Sequence, residues 1–505
     1  MNEAVRSTEG SAFHAASSFT PRRRTLALVA VALAFVMDLL DTTIINVAIP
    51  SIGQTMGADK AALEWIIAGY ATAFAVLLIV GGRLGDSYGY RRMFLIGIAL
   101  FTATSMACGM APTAFALQAA RLLQGASAAL MVPQVMALVQ VMYPPEQRYK
   151  VYTVFGFLGG FSAALGPIVG GLLIDANWFG LGWRLTFLIN LPIGLFSLAA
   201  GVLLLPAGRG VNAVAVDLRG AALSIVVLFA ILAPLIEGPG RGWPPGLVLL
   251  LAATAPLAWG TVRYLRWRQA AHGDALVSPA LFKLRKVSLG LLCTLCINPV
   301  LPGYLLVMTF VLQTGIGLSA SQMAYACAPI ALGAMGAITL LGPWLFRRLG
   351  VRVMMIGVGV TSFSLCLAAW SVHGGLLAHG ALAVAQFGMG LGMGLCGPQL
   401  SNATLQDVPM SDAGVAAGLL TAVQQIAAAL GVALAGMAFF HGLHATTASA
   451  SDYTNAYLQV LPLFLGLMAA ALFGATRLAK AMEKQRQVLG DQSSLECPII
   501  HDQVR

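Results

Sequence analysis

The chain is 505 residues long, 58% hydrophobic and only 10% charged, with a mean hydropathy of +0.83. Soluble chains carry about 25% charged residues, so a soluble multidomain protein is excluded and an all-α, multi-pass membrane protein is indicated. The formal net charge of +10 comes from short Lys and Arg clusters between apolar runs, a pattern that speaks for membrane topology and against nucleic-acid binding.

The first apolar run follows Arg22, Arg23 and Arg24 and reaches Pro50, long enough at about 1.5 Å per residue to cross a bilayer. It is too long for the apolar region of a signal peptide and lacks a small-residue cleavage site. Asp38 and Asp41 stand in it three positions apart, on one helical face, and are the only acidic residues deep inside any span predicted here. A carboxylate at that depth costs about 2.5–3.5 kcal/mol on insertion scales, so it must face protein or water and have a partner or a task.

Further windows of about 20 residues place spans at 61–82, 93–111, 114–142, 150–174, 184–205, 219–236, 246–264, 287–312, 322–345, 353–371, 378–403, 413–440 and 456–478, fourteen with the first at 25–50. With the amino terminus inside, the inner segments collect Arg83, Arg91, Arg92, Arg148, Lys150, Arg209, Arg219, the cluster from Arg263 to Lys286, and Arg347, Arg348 and Arg352. The outer segments hold only Lys60, Arg184 and Arg241, so both termini are expected in the cytoplasm. The seven cysteines, including the pair Cys293 and Cys296, lie mostly in apolar runs without metal-ligand company. No metal and no cofactor are expected.

An internal repeat supports the count. Pairing Pro133 with Pro398 also pairs Gly125 with Gly390, Gln134 with Gln399 and Pro144 with Pro409, and lays "AALG" at 163–166 on "AALG" at 428–431. This places spans four and five on spans twelve and thirteen, as two six-helix bundles separated by two extra helices would. The expected organisation is a first bundle over 1–205 with a cytoplasmic tail at 1–24, an insertion over 206–286, a second bundle over 287–478 and a cytoplasmic tail over 479–505.

Several strings carry a family resemblance. "LDTTIINVAIPSI" at 40–52, "WRLTFLINLPIG" at 183–194, "EGPGRGW" at 237–243 and "LVSPALFKLRKVSLG" at 276–290, in that order, resemble the fourteen-helix drug:proton antiporters of the EmrB/QacA type, a branch of the major facilitator superfamily. "GGRLGDSYGYRRMF" at 81–94 resembles the superfamily's loop between helices two and three, which implies gating roles for Gly82, Asp86, Gly89, Arg91 and Arg92, with Asp86 pairing across the bundle seam. Ser87 and Tyr90 depart from that pattern, and the plainer reading is a positive-inside loop with turn glycines. "ARLLQGASAALMVPQ" at 120–134 resembles the fourth-helix motif and implies a coupling role for Arg121; an arginine snorkelling to the interface is the alternative. Gly166, Pro167, Gly170 and Gly171 in "GPIVGG" resemble the antiporters' fifth-helix motif, against plain helix packing.

In the family's fold the first and fourth helices of each bundle line a central cavity. The resemblance therefore implies a site in which Asp41 binds the proton, Arg121 is its electrostatic partner and Asp38 is a second titrating or cation-attracting group. The second bundle offers neutral polar groups, Asn298, Tyr304, Gln386, Gln399 and Asn402. The expected activity is proton-coupled export, by alternating access, of bulky apolar monocationic or neutral compounds. A dedicated exporter of one endogenous metabolite, siderophore or antibiotic is the alternative. The expected partners are protons, a small-molecule substrate and the lipid bilayer of a bacterial cell membrane, for a monomer working alone. No metalloprotease, phosphate-loop or hydrolase-elbow motif points to an enzyme.

Overall fold

The structure is a computed structural model that describes residues 20–206, 217–272, 279–373, 380–408, 413–443 and 449–495. The expected terminal tails thus lie partly outside the described residues. Among the described residues there is no strand. The helices are α1 (Pro21–Met56), α2 (Lys60–Tyr88), α3 (Tyr90–Gly109), α4 (Ala114–Met142), α5 (Pro145–Ala176), α6 (Gly182–Leu204), α7 (Leu218–Arg241) and α8 (Pro245–His272). They continue as α9 (Arg285–Gly315), α10 (Ala320–Gly336, prolonged through a π-helical turn to Leu349), α11 (Val353–His373), α12 (Ala381–Leu405), α13 (Ala413–His441) and α14 (Ala450–Leu495).

Twelve stretches among the described residues are long and apolar enough to cross a membrane. One of them, Ala320–His373, is broken at Gly350, whose φ of 58° turns the chain from α10 into α11; α5 contributes the shorter apolar stretch Leu165–Ala176.

Several helices begin where short polar side chains satisfy otherwise unpaired N–H groups. Thr20, Asp59 and Thr113 accept from Arg23, Ala62 and Ala116 at the starts of α1, α2 and α4, and Ser319 forms a reciprocal capping box with Gln322 at α10. α1 does not stop at Pro50. It runs on to Met56 and ends at Gly57 in the left-handed conformation, which puts Asp41 about 22 Å from that end.

α1 to α6 pack on one another, chiefly α2 and α3 on α4 and α5 and α6 on α1. In the same way α10 and α11 pack on α12, and α9 on α13 and α14. Contacts between the two groups run mainly along α2 with α13 and α5 with α10, while α7 and α8 pair with each other and α7 rests on both α2 and α13. The repeat is visible in the packing. Gly125 of α4 brings its Cα against the Tyr70 carbonyl of α2, and its counterpart Gly390 of α12 lies against the Ile330 carbonyl of α10. Neither position has room for a Cβ, so small residues let the backbones touch in both halves.

Candidate functional site

The centre of the first half is a polar network sealed inside apolar helices. Asp41 on α1 is 1% exposed and so is Arg121 on α4, and the two form an ion pair through Nη1 and Oδ2. A charge pair this far from water is tolerable only if the remaining lone pairs and protons are also matched. Here they are. Asp41 Oδ1 accepts from Gln124 Nε2 at 2.8 Å and from Asn190 Nδ2 of α6 at 3.0 Å. Arg121 Nε donates to the Ile66 carbonyl of α2 at 3.1 Å, and Nη1 also donates to Gln124 Oε1 at 2.9 Å.

The guanidinium plane lies 4.3 Å from the centre of the Tyr70 ring and 5.8 Å from that of Phe187, so its faces meet aromatic rings. Tyr70 closes the circuit by donating its hydroxyl to Asp38 Oδ1. Asn190 also donates to Ser105 Oγ of α3 at 2.9 Å, and Ser105 in turn donates to the Phe187 carbonyl at the same distance. Five helices of one half thus contribute to a single network around Asp41 and Asp38, with α4 and α6 bonding the Asp41 carboxylate directly. The snorkelling alternative for Arg121 is overturned, because its side chain points into the bundle and is consumed there.

Gly166 and Gly170 of α5 lie against Thr43 and Ile44 of α1, immediately beyond Asp41, and Pro167 stands inside the same helix. Gly171, one step round, faces the other half: a Cβ there would come within 2.7 Å of the Ala320 carbonyl oxygen on α10. The glycines therefore join α5 both to the helix that carries the aspartates and to the opposite group of helices.

Of the string expected as a loop, only Gly89, with φ 97°, lies between α2 and α3; Gly82, beside Pro133, and Asp86 are inside α2, and Arg91 and Arg92 are inside α3. Asp86 accepts a hydrogen bond of 2.8 Å from the Tyr90 hydroxyl, so one of the two departures from the family pattern supplies its partner. Arg91 donates to the Val202 carbonyl of α6, and Arg92 is exposed.

The five neutral residues singled out in the second half do not form one group. Tyr304 of α9 donates to Gln386 Oε1 of α12 at 3.0 Å, both fully buried, and Gln386 reaches Cys327 Sγ of α10 at 3.5 Å. Asn298 bonds the carbonyl of Thr294 on its own helix, Gln399 is buried with Oε1 unpaired, and Asn402 is exposed.

Sequence reasoning passed over Gln124, Asn190, Ser105 and Tyr70, which complete the network. Gln124 had a signal, lying one turn from Arg121; single neutral polar residues such as Asn190 do not stand out in an apolar run. It also passed over Glu64 of α2, an acid one turn inside the start of a predicted span and 3% exposed.

At the end of the molecule where α1 gives way to α2, three contacts cross between the halves. Gln313 Nε2 of α9 donates to the Val47 carbonyl at 3.0 Å. Asp175 Oδ2 of α5 accepts from Ser319 Oγ at 2.8 Å and Ser321 N at 3.0 Å, so an acid of one half caps a helix of the other. Glu64 lies against Gly436 of α13.

Comparison with known proteins points to one family. The family model of the Major Facilitator Superfamily matches residues 31–432. A "Probable actinorhodin transporter" from Streptomyces coelicolor is 39% identical over 443 residues, covering 85% of this chain and 74% of that protein. The "Multidrug resistance protein Stp" of Mycobacterium tuberculosis is 30% identical over 428 residues, covering 84% and 78%. Among solved structures, one described under substrate recognition in proton dependent oligopeptide transporters superposes with a TM-score of 0.65 at 16% identity, over 92% of this chain and all of that one; at that identity the likeness concerns the fold alone.

Proposed function

Because this chain belongs to the Major Facilitator Superfamily, a multi-pass membrane transporter and not an enzyme, we propose that it exports bulky apolar monocationic or neutral compounds in exchange for protons. The observation that carries this reading is the buried Asp41–Arg121 ion pair, with Asp38 one turn away on the same helix. Protonating Asp41 removes one charge of the pair and leaves Arg121 without its counterion in an apolar setting. That form is tolerable only if the cavity opens to water or the guanidinium shifts its bonds, so the proton and the conformation are tied together. Deprotonation restores the pair as the cavity faces the cytoplasm and takes up substrate. The neutral contacts of the second half favour a substrate without a second positive charge.

In this reading the chain crosses the membrane fourteen times with both termini in the cytoplasm. Residues 1–205 and 287–478 are the two rocking bundles, and 206–286 supplies the inserted α7 and α8. The three contacts near the α1–α2 turn then lie at the outer face, and the structure is the form closed to the outside. Gly82, Asp86, Gly89, Arg91 and Arg92 form the inner gating segment, and the chain works as a monomer.

Reconstituted vesicles with an imposed pH gradient test the proposal. Dye or drug export is expected to follow the gradient in the wild type and to lose that dependence in Asp41→Asn; a variant that exports with full gradient dependence refutes the assignment. A second reading, one dedicated endogenous substrate, is favoured by the kinship with a protein described as an actinorhodin transporter. A panel of polycyclic antibiotics and lipophilic cations separates the two, since a dedicated exporter moves one class only.

A further inference from the structure

Glu64 stands outside the Asp41 network. It lies four residues into α2, on the side that meets α13, 3% exposed, and its Oε2 has no hydrogen-bond partner. Its carboxyl group fills the space in which Gly436 lacks a side chain; a Cβ at 436 would collide with Oε1 and Cδ. Trp65, Ala68, Ala71, Ala429 and Ala433 continue the seam as apolar surface.

The charged and titratable groups on the packed elements are otherwise engaged or at the rim. Lys60, one turn earlier on α2, is the positive charge that acts on Glu64; it is exposed and lies over the Phe440 ring at 5.0 Å, so its charge is shared with water. Arg121 of α4 is held by Asp41, Glu237 and Arg241 of α7 pair with each other at 3.0 Å, and His441 ends α13. An ionised carboxylate pressed against a glycine Cα with an orphan oxygen is a costly arrangement, whereas a carboxylic acid fits it at far lower cost. Once α2 and α13 separate, water reaches the group and the cost of ionisation disappears.

Resting on the transport reading above, we propose that Glu64 is a second protonation site, which makes closure of the outer seam depend on uptake of a proton from the outer compartment. In the open form the Glu64 carboxylate takes a proton from outside water and becomes the neutral acid, and α13 closes over it. On reopening the same proton returns to the same water. No proton crosses the membrane by this route, so the exchange ratio set at Asp41 is unaffected. An acidic exterior instead promotes the return of the emptied carrier.

The test is a distance measurement by pulsed electron resonance between spin labels at Gln54 and Ser451, exposed positions on either half of the same face, with exposed Cys366 replaced by serine. It is made in lipid nanodiscs across a pH series, without substrate or gradient, in an Asp41→Asn background. The ratio of wide to narrow distances is expected to rise with pH, approaching about tenfold per pH unit, the limit for one linked proton. Glu64→Gln is expected to lose the pH dependence, with a fixed distribution no wider than that of its parent at low pH, and Glu64→Asp to keep a pH response. Gly436→Ala, which removes the seat of the carboxyl, is expected to widen the distribution throughout. A Glu64→Gln protein that retains the pH response, or opens more than its parent, overturns the proposal, as does a flat response in Glu64→Asp if Glu64→Gln does not fold. Because neither substrate nor gradient is used, this outcome is independent of whether export is driven through Asp41.

Discussion

The two halves of the molecule hold the same contact in different chemical states. Where α1 meets α4, the contact is an ion pair, Asp41 with Arg121, enclosed by Gln124, Asn190 and the Ile66 carbonyl. Where α9 meets α12, the repeat puts Gln386 in the place of Arg121, and the contact is a single neutral hydrogen bond from Tyr304. Close backbone approach at Gly125 and Gly390 shows that the frame around both is alike. Neutral groups therefore suffice to join these helices. The charges in the first half are not needed for packing, and their desolvation is a standing cost that a functional role explains.

The sharpest way to break that comparison is to remove the charge. Asp41→Asn is expected to lower gradient-driven export by 100-fold or more, roughly what loss of an essential protonation step entails, and to cost up to about 3–5 kcal/mol of stability by stranding Arg121, while the protein still inserts and melts as one unit. Initial rates in vesicles, read beside a melting curve, check both halves of the statement. The converse experiment puts charge where the frame is neutral. Gln386→Arg places a guanidinium against Tyr304 without an acid in reach and is expected to destabilise the protein by about 3–5 kcal/mol, visible as loss of the folded fraction in detergent.

Gly125→Ala and Gly390→Ala probe the shared frame. Each is expected to cost about 1–3 kcal/mol through overpacking, and similar losses from the two would show that the halves are built alike. Tyr304→Phe removes only the neutral hydrogen bond, about 1 kcal/mol in thermal stability, and is expected to leave proton dependence of export intact. The smallest effect is expected at the rim. Asp175→Asn weakens a cap in contact with water by less than about 1 kcal/mol and should show as faster proteolysis near Ser319 more than as a change in melting.

Much of this was legible in the sequence, and the reasons differ by element. Apolar runs, basic loops and the Gly125–Gly390 repeat located the helices, because bilayer thickness and the cost of buried charge leave few alternatives. Asp41 and Arg121 could be paired through their family motifs. The hydrogen bonds that neutralise them could not, because Asn190 and Ser105 acquire their meaning only when α3 and α6 converge on α1. Pro50 misled as a helix end: α1 continues past it, since its neighbours hold the backbone in line. Glu64 escaped notice because it sits one turn from the start of its span, where an acid normally reaches water; only the apposition of Gly436 buries it.

The cap that Asp175 places on α10 has a different bearing. Its donors, a hydroxyl and a peptide N–H, are ones that solvent replaces almost without loss, so parting the halves at this point stores little energy and meets little resistance. In the proposed transport cycle, what the fastening supplies is alignment: a returning bundle finds the same two donors at the same place and docks in one register.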